Sequence, residues 1–180
     1  RRVLSPAPRG LVPHERLTVT MQIRPATQND VAKILEIVAP VLRAGETYVM
    51  PIDMTDTDVL AYWMGADRET FVAEEDGQIV GTYYLKANQP GNGAHVANCG
   101  YMTAPDAGGR GIARRMCEDS LIRARDRGFK AMQFNFVIAS NKAAVHLWPQ
   151  LGFEIVGRLP GAYMHPTHGE TDALIMYRKL

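Results

Sequence analysis

Cysteine is scarce in this chain: 180 residues contain two, Cys99 and Cys117. Neither stands in a CxxC spacing, so a dithiol redox pair and a thiolate zinc ribbon are both excluded. Two reduced thiols suit a reducing compartment, and the expected location is cytoplasmic. Serine is nearly as rare. Ser5, Ser120 and Ser140 are the three present, none within GxSxG, and a serine-hydrolase elbow is ruled out. No GxxxxGK[ST] occurs, which removes the P-loop nucleotidases. No apolar run approaches the roughly 20 residues that span a bilayer. Net charge is lacking too: 20 Lys and Arg against 19 Asp and Glu leave +1, no electrostatic ground for a nucleic-acid or membrane partner. His165 and His168 stand too isolated for a metal site, and no metal is expected.

What is present is an ordinary globular composition, 46% apolar, in a length suited to one domain. Residues 1–20, with Arg1, Arg2, Arg9, Arg16 and three prolines, read as a disordered extension; residues 21–180 read as the domain. Strands are expected at Met21–Ala26, at Phe71–Glu75 and Ile79–Leu85 around the hairpin turn Asp76–Gly77, and at Ala94–Thr103, Ala131–Ile138, Phe153–Leu159 and Asp172–Arg178. A loop is expected at Pro160–Thr171. Helices are expected after Asn29 or Asp30, with Pro40 bending or ending the first early, after the capping box Thr55–Asp58, over Gly111–Arg127 and over Ser140–Gln150. In the third of these Ile112, Met116, Leu121 and Ile122 are read as facing inward. The class is α/β with a mixed sheet.

The segment Pro105–Arg114 follows a strand, is rich in glycine and opens a helix. Glycine lets a ligand approach the backbone closely, and the first-turn amides of a helix point outward as donors, so the segment suits a pyrophosphate. Arg110, Arg114 and Arg115 add formal charge there. A capped, glycine-lined turn with a solvated basic face is the plain alternative. A dinucleotide fingerprint fails, because its third glycine position is Arg114 and no acidic residue ends the next strand.

Gly108-Gly-Arg-Gly111-Ile-Ala113 resembles the acetyl-CoA signature of the GNAT acetyltransferases, Gln/Arg-x-x-Gly-x-Gly/Ala, and departs from it at Gly108. Ser140-Asn141 through Leu151-Gly152-Phe153 is similar to the family's Asn-x-x-Ala-x-x-Leu-Tyr-x-x-x-Gly-Phe segment. The resemblance spans residues 21–180 and implies the GNAT fold, with its fourth and fifth strands splayed around the pantetheine arm of acetyl-CoA. It implies pantetheine contacts at Tyr101, Met102 and Thr103, and a pyrophosphate site at Gly109, Arg110, Gly111, Ile112, Ala113 and Arg114. Asn141 and Trp148 are implied at the pantetheine end.

Within the family, His95–Tyr101, Phe134–Val137 and Leu151–Arg158 resemble the yeast-type acetyltransferases of azetidine-2-carboxylate and other proline analogues. That likeness makes Asn98 and Asn135 the candidate catalytic residues, with each satisfying backbone groups at a strand bulge as the alternative. It also suggests an amino-acid-like acceptor bearing a carboxylate. Glu46, Tyr48 and Phe136 are the candidate acceptor contacts, and His95 is a candidate proton relay.

Many family members carry a general-acid tyrosine where this chain has Trp148, whose indole N–H does not give up its proton usefully. Others carry a glutamate base where it has Phe136. The expected activity is direct transfer of acetyl to a small-molecule amine, in a homodimer paired through the final strands, which carry the apolar run Ala173–Tyr177. An acyl-CoA-binding module with little turnover, an acetyltransferase of protein N-termini or lysines, and a phosphinothricin-type resistance enzyme stand as alternatives.

Overall fold

Residues 20–180 are described by the structure, a computed structural model. The expected extension lies outside them, Thr20 apart. Among the described residues, five strands and four α-helices lead to a final long hairpin. In order these are β1 (Met21–Pro25), α1 (Val31–Ala44), α2 (Asp56–Trp63), β2 (Arg68–Glu75), β3 (Gln78–Ala87), β4 (Val96–Thr103), α3 (Ile112–Asp126), β5 (Ala131–Ile138), α4 (Lys142–Gln150), β6 (Glu154–His165) and β7 (Gly169–Lys179).

Local chemistry accounts for most boundaries. Thr27 and Asp30 form a capping box before α1, and Thr55 and Asp58 form another before α2. Pro40 does not end α1. It forfeits one helical bond, while the buried stripe Ile34, Ile37, Val38 and Leu42 holds both halves to the core, and the helix runs on to a left-handed Gly45. Asp76 (φ 48°) and Gly77 (φ 77°) both take positive φ, as a type I′ turn demands. Helix α3 buries Ile112, Met116 and Leu121 as expected, but Ile122 is exposed. It lies ten residues beyond Ile112, about 280° round a helix of 3.6 residues per turn, and Cys117, Ser120 and Ala124 fill the inner stripe instead.

The expected loop at Pro160–Thr171 is largely strand. β6 and β7 pair from Glu154↔Tyr177 out to His165↔Gly169, with a register shift between Leu159 and Tyr163 that absorbs Pro160 and Gly161. β6 is an edge strand, where a proline forfeits no ladder bond. The carboxylate of Asp172 accepts from Gly161 N–H at 2.9 Å.

All seven strands form one sheet in the order β1-β2-β3-β4-β5-β7-β6. The pair β4–β5 is parallel and very short, Val96 and Ala97 against Ala131 and Met132. Beyond those rungs the two strands diverge, and a wedge opens in mid-sheet. α3 covers one face of β3 and β4, where Tyr83 O–H donates to Asp119 (2.5 Å) and Tyr101 O–H meets Ser120 Oγ (2.7 Å). α1 and α2 lie on the other, where Trp63 of α2 stands edge-on to Tyr84 (5.0 Å between ring centroids) and donates to Thr82 Oγ (3.0 Å).

Candidate active site

The hydrogen-bond phase of β4 decides what the wedge can offer. Ala104 N–H donates to Val80 C=O and Asn88 N–H to Val96 C=O, both at 2.8 Å, and they bracket an unshifted β3–β4 register. In an antiparallel ladder, inward- and outward-facing residues alternate. Asn98, Gly100 and Met102 therefore spend their main-chain groups on β3. Cys99, Tyr101 and Thr103 turn theirs toward the wedge. Of the three β4 residues expected to contact pantetheine, Tyr101 and Thr103 turn their backbone groups to the wedge and Met102 does not: its backbone pairs within the ladder and its side chain is buried.

At the apex of the wedge, Asn98 Nδ2 donates to Gln133 C=O at 2.9 Å, and Asn98 Oδ1 accepts from Tyr84 O–H at 3.4 Å. Asn98 thus satisfies a β5 backbone group at the point where ladder pairing stops. Asn135, on the bulged stretch of β5, is exposed; its amide donates to Asn88 Oδ1 (2.6 Å) and accepts from Gln133 Nε2 (2.9 Å). Both asparagines border a cavity of about 240 Å³ that runs along the wedge. Tyr48, Tyr62, Tyr84, Phe136 and Trp148 supply its aromatic walls, and Asn141 borders it as well.

Of the candidate acceptor contacts, Tyr48 and Phe136 line the cavity. Glu46 does not; it is exposed beside Tyr163, outside the lining. His95 is exposed and engaged with Asn92 C=O (3.1 Å), also outside. Asn141 spends Oδ1 on capping α4 through Ala144 N–H (3.2 Å), so what it can offer a ligand is its amide N–H₂. Trp148 packs against Phe134 and Tyr101, each with ring centroids 5.2 Å away.

Past the open end of β4 lies the glycine loop. Gly109 (φ 74°) and Gly111 (φ 77°) are left-handed, and a Cβ built on Gly108, Gly109 or Gly111 would meet open space. Gly111 caps α3 without a side-chain bond, so the amides of Ile112, Ala113 and Arg114 face outward uncapped. That is an anion cradle reinforced by the helix dipole. Its formal charge is less free than the sequence suggests. Arg110 is ion-paired with the buried Glu75, and Arg114 bonds Gln150 and approaches Glu118 at 3.9 Å.

Among the described residues, the lining of the cavity includes no carboxylate, histidine or lysine. Burial pushes the Tyr48 and Tyr84 phenols and the Cys99 thiol well above their ordinary values, and Cys117 behind them up to about 12. Tyr62, Tyr84 and Gly100 line the cavity and were missed by sequence reasoning. Tyr62 on α2 and Tyr84 on β3 read as core, and nothing local marks them as cavity walls.

A backbone anion cradle opening onto a strand edge that is unpaired by design defines an acyl-CoA-dependent acyltransferase. Residues 36–153 match the model of the acetyltransferase (GNAT) family, and the chain belongs to that family. It is similar to a GCN5-related N-acetyltransferase from Kribbella flavida: 40% identity, TM-score 0.85, covering 89% of this chain and 98% of that one. It is 28% identical over 151 residues to N-acetyltransferase aca1 of Schizosaccharomyces pombe, 74% of this chain and 72% of the relative. The phosphinothricin acetyltransferase of Sinorhizobium meliloti, solved with acetyl-CoA, shares the fold at 22% identity and TM-score 0.77, with 89% of each chain covered. Acetyl-CoA is the co-substrate. Among the described residues no helix is long and apolar enough to cross a membrane.

Proposed function

We propose that this acetyltransferase moves acetyl from acetyl-CoA to the amine of a small molecule, an amino acid or an analogue of one. The observation that carries the reading is the continuity of the wedge: the glycine loop leads along Thr103, Tyr101 and Cys99 into a cavity bordered by Asn98 and Asn135. Gly109 to Arg114 hold the pyrophosphate through backbone donors, and the outward main-chain groups of Tyr101 and Thr103 pair with the pantetheine amides. The 240 Å³ cavity suits a compact acceptor far better than a folded protein surface. Asn98 and Asn135 hold the acceptor or its developing charge, and an acceptor carboxylate takes donors from these amides. No side-chain nucleophile is needed, because holding both substrates in the wedge supplies much of the rate.

The finding that both asparagine amides are already bonded within the chain favours a second reading, an acyl-CoA-binding module with little turnover. One experiment separates them: purified protein with acetyl-CoA and an array of amines, followed by thiol release. Amine-dependent release supports catalysis, and binding without release supports the module.

Pairing of two copies through the edge strand β6 follows from its exposed Ile155, Val156 and Met164. The apolar run Ala173–Tyr177 that suggested a dimer in the sequence lies on β7, inside the sheet. A cytoplasmic location belongs to this proposal, with reduced thiols as its support.

A further inference from the structure

Acyl transfer from a thioester leaves a thiolate behind and strips a proton from the amine, so a group able to pass a proton from nitrogen to sulfur speeds it. Trp148 cannot do so. Of the cavity phenols, Tyr101 faces α3 and is bonded to Ser120, Tyr84 bonds Asn98, and Tyr62 is engaged with Tyr84. Tyr48 sends its hydroxyl to the open strand edge, donating to Tyr101 C=O at 3.1 Å.

That placement is built from several sides. A Cβ on Gly100 would fall 3.1 Å from Tyr48 Oη and 2.7 Å from Tyr84 Cε1, so the missing side chain is what leaves room for both rings and lets the Tyr48 hydroxyl reach the edge. The Tyr48 ring stands edge-on against Trp63, 6.1 Å between centroids. The loop that carries it is held from the far side, where Tyr163 O–H donates to Gly45 C=O.

Resting on the acetyltransferase reading above, we propose that Tyr48 is the catalytic proton relay of the transfer. The amine nitrogen forms its bond to the acyl carbon and the carbon–sulfur bond breaks, its electron pair leaving on sulfur. Tyr48 gives its phenolic proton to that sulfur and takes the surplus amine proton, ending as it began. Burial keeps the phenol neutral, which makes it a poor acid on its own but a sound relay, since it never has to hold the negative charge.

The test uses the whole chain and Tyr48→Phe, which removes one oxygen and keeps the ring. The expected result is acetyl-CoA affinity within about twofold by calorimetry and kcat down on the order of 100-fold on an accepted amine. The thiol of bound CoA, titrated through the ultraviolet absorbance of its thiolate, should show a higher pKa in the variant, having lost its donor. Gly100→Ala, which retains the phenol but displaces it, should do the same. Wild-type kcat with an unshifted thiol titration in Tyr48→Phe overturns the proposal, as does a rise in KM alone. If the wild-type chain releases thiol with no amine, the acetyltransferase reading fails, and the thiol titration still judges Tyr48. Failure to bind CoA at all overturns both.

Discussion

Asn98 Nδ2 sits 2.9 Å from Gln133 C=O, in the place where the next rung between β4 and β5 would fall. A side chain thus closes the sheet where the backbone ceases to, and the same residue borders the cavity. Its removal should act twice. Asn98→Ala should cost about 1 kcal/mol in denaturant unfolding for the lost bond, and it should lower kcat on the order of 100–1,000-fold if the amide also meets developing charge. Asn135→Ala, on an exposed rim, should show the kinetic loss with little change in stability. Wild-type kcat and KM in both variants would return the asparagines to a purely structural role.

The glycine loop can be tested against its own helix. Gly111 and Gly128 lie at opposite ends of α3, both left-handed (φ 77° and 82°) and both with open space where a Cβ would go. Alanine at either should cost a similar amount of backbone strain, about 1 kcal/mol. Only Gly111→Ala should weaken acetyl-CoA binding, by an expected tenfold or more in calorimetry. Equal affinities in the two variants would remove the loop from the pyrophosphate site.

Much of this was legible in the chain, and the reasons are local. The Asp76–Gly77 turn, both capping boxes and the glycine loop carry their chemistry within a few residues. The missed features depend on partners far away in sequence: Arg110 on Glu75, Asn135 on Asn88, Tyr48 on the Tyr101 carbonyl. Alternation within β4 was readable, but its phase was not, and phase is what separates Tyr101 from Met102. Likewise the insertion of β7 between β5 and β6 moved the exposed apolar row from β7 to the sheet edge.

Stability should fall in acid through Asp30. Arg24 holds its carboxyl well below the usual carboxylate range, through side-chain bonds of 2.7 and 3.0 Å. Because the native value lies below the unfolded one, about 3.9, the contribution is complete above that pH. It is lost as pH falls further, toward the native value. Asp30→Asn should cost about 1.5–3 kcal/mol at neutral pH and flatten the decline in melting temperature below pH 4. An unchanged acid profile would show that the pair contributes nothing.

Trp148 is packing rather than chemistry in this account. Trp148→Phe should leave kcat within a few fold of wild type, while loosening the cluster with Phe134 and Phe153 enough to lower the melting temperature. A loss of 100-fold or more in kcat without a change in melting would place a proton at the indole after all.

Light scattering at micromolar concentration should give twice the 19.9 kDa of the chain, and Val156→Lys on β6 should return it to monomer. A monomer mass for the unaltered protein would remove the dimer.

The most direct test of the central claim is thiol release on adding small amino acids and cyclic imino acids to the protein with acetyl-CoA. The account predicts release that requires the amine, matched mole for mole by N-acetylated product in mass spectrometry. Tight acetyl-CoA binding with no amine-dependent thiol release across the array would contradict it.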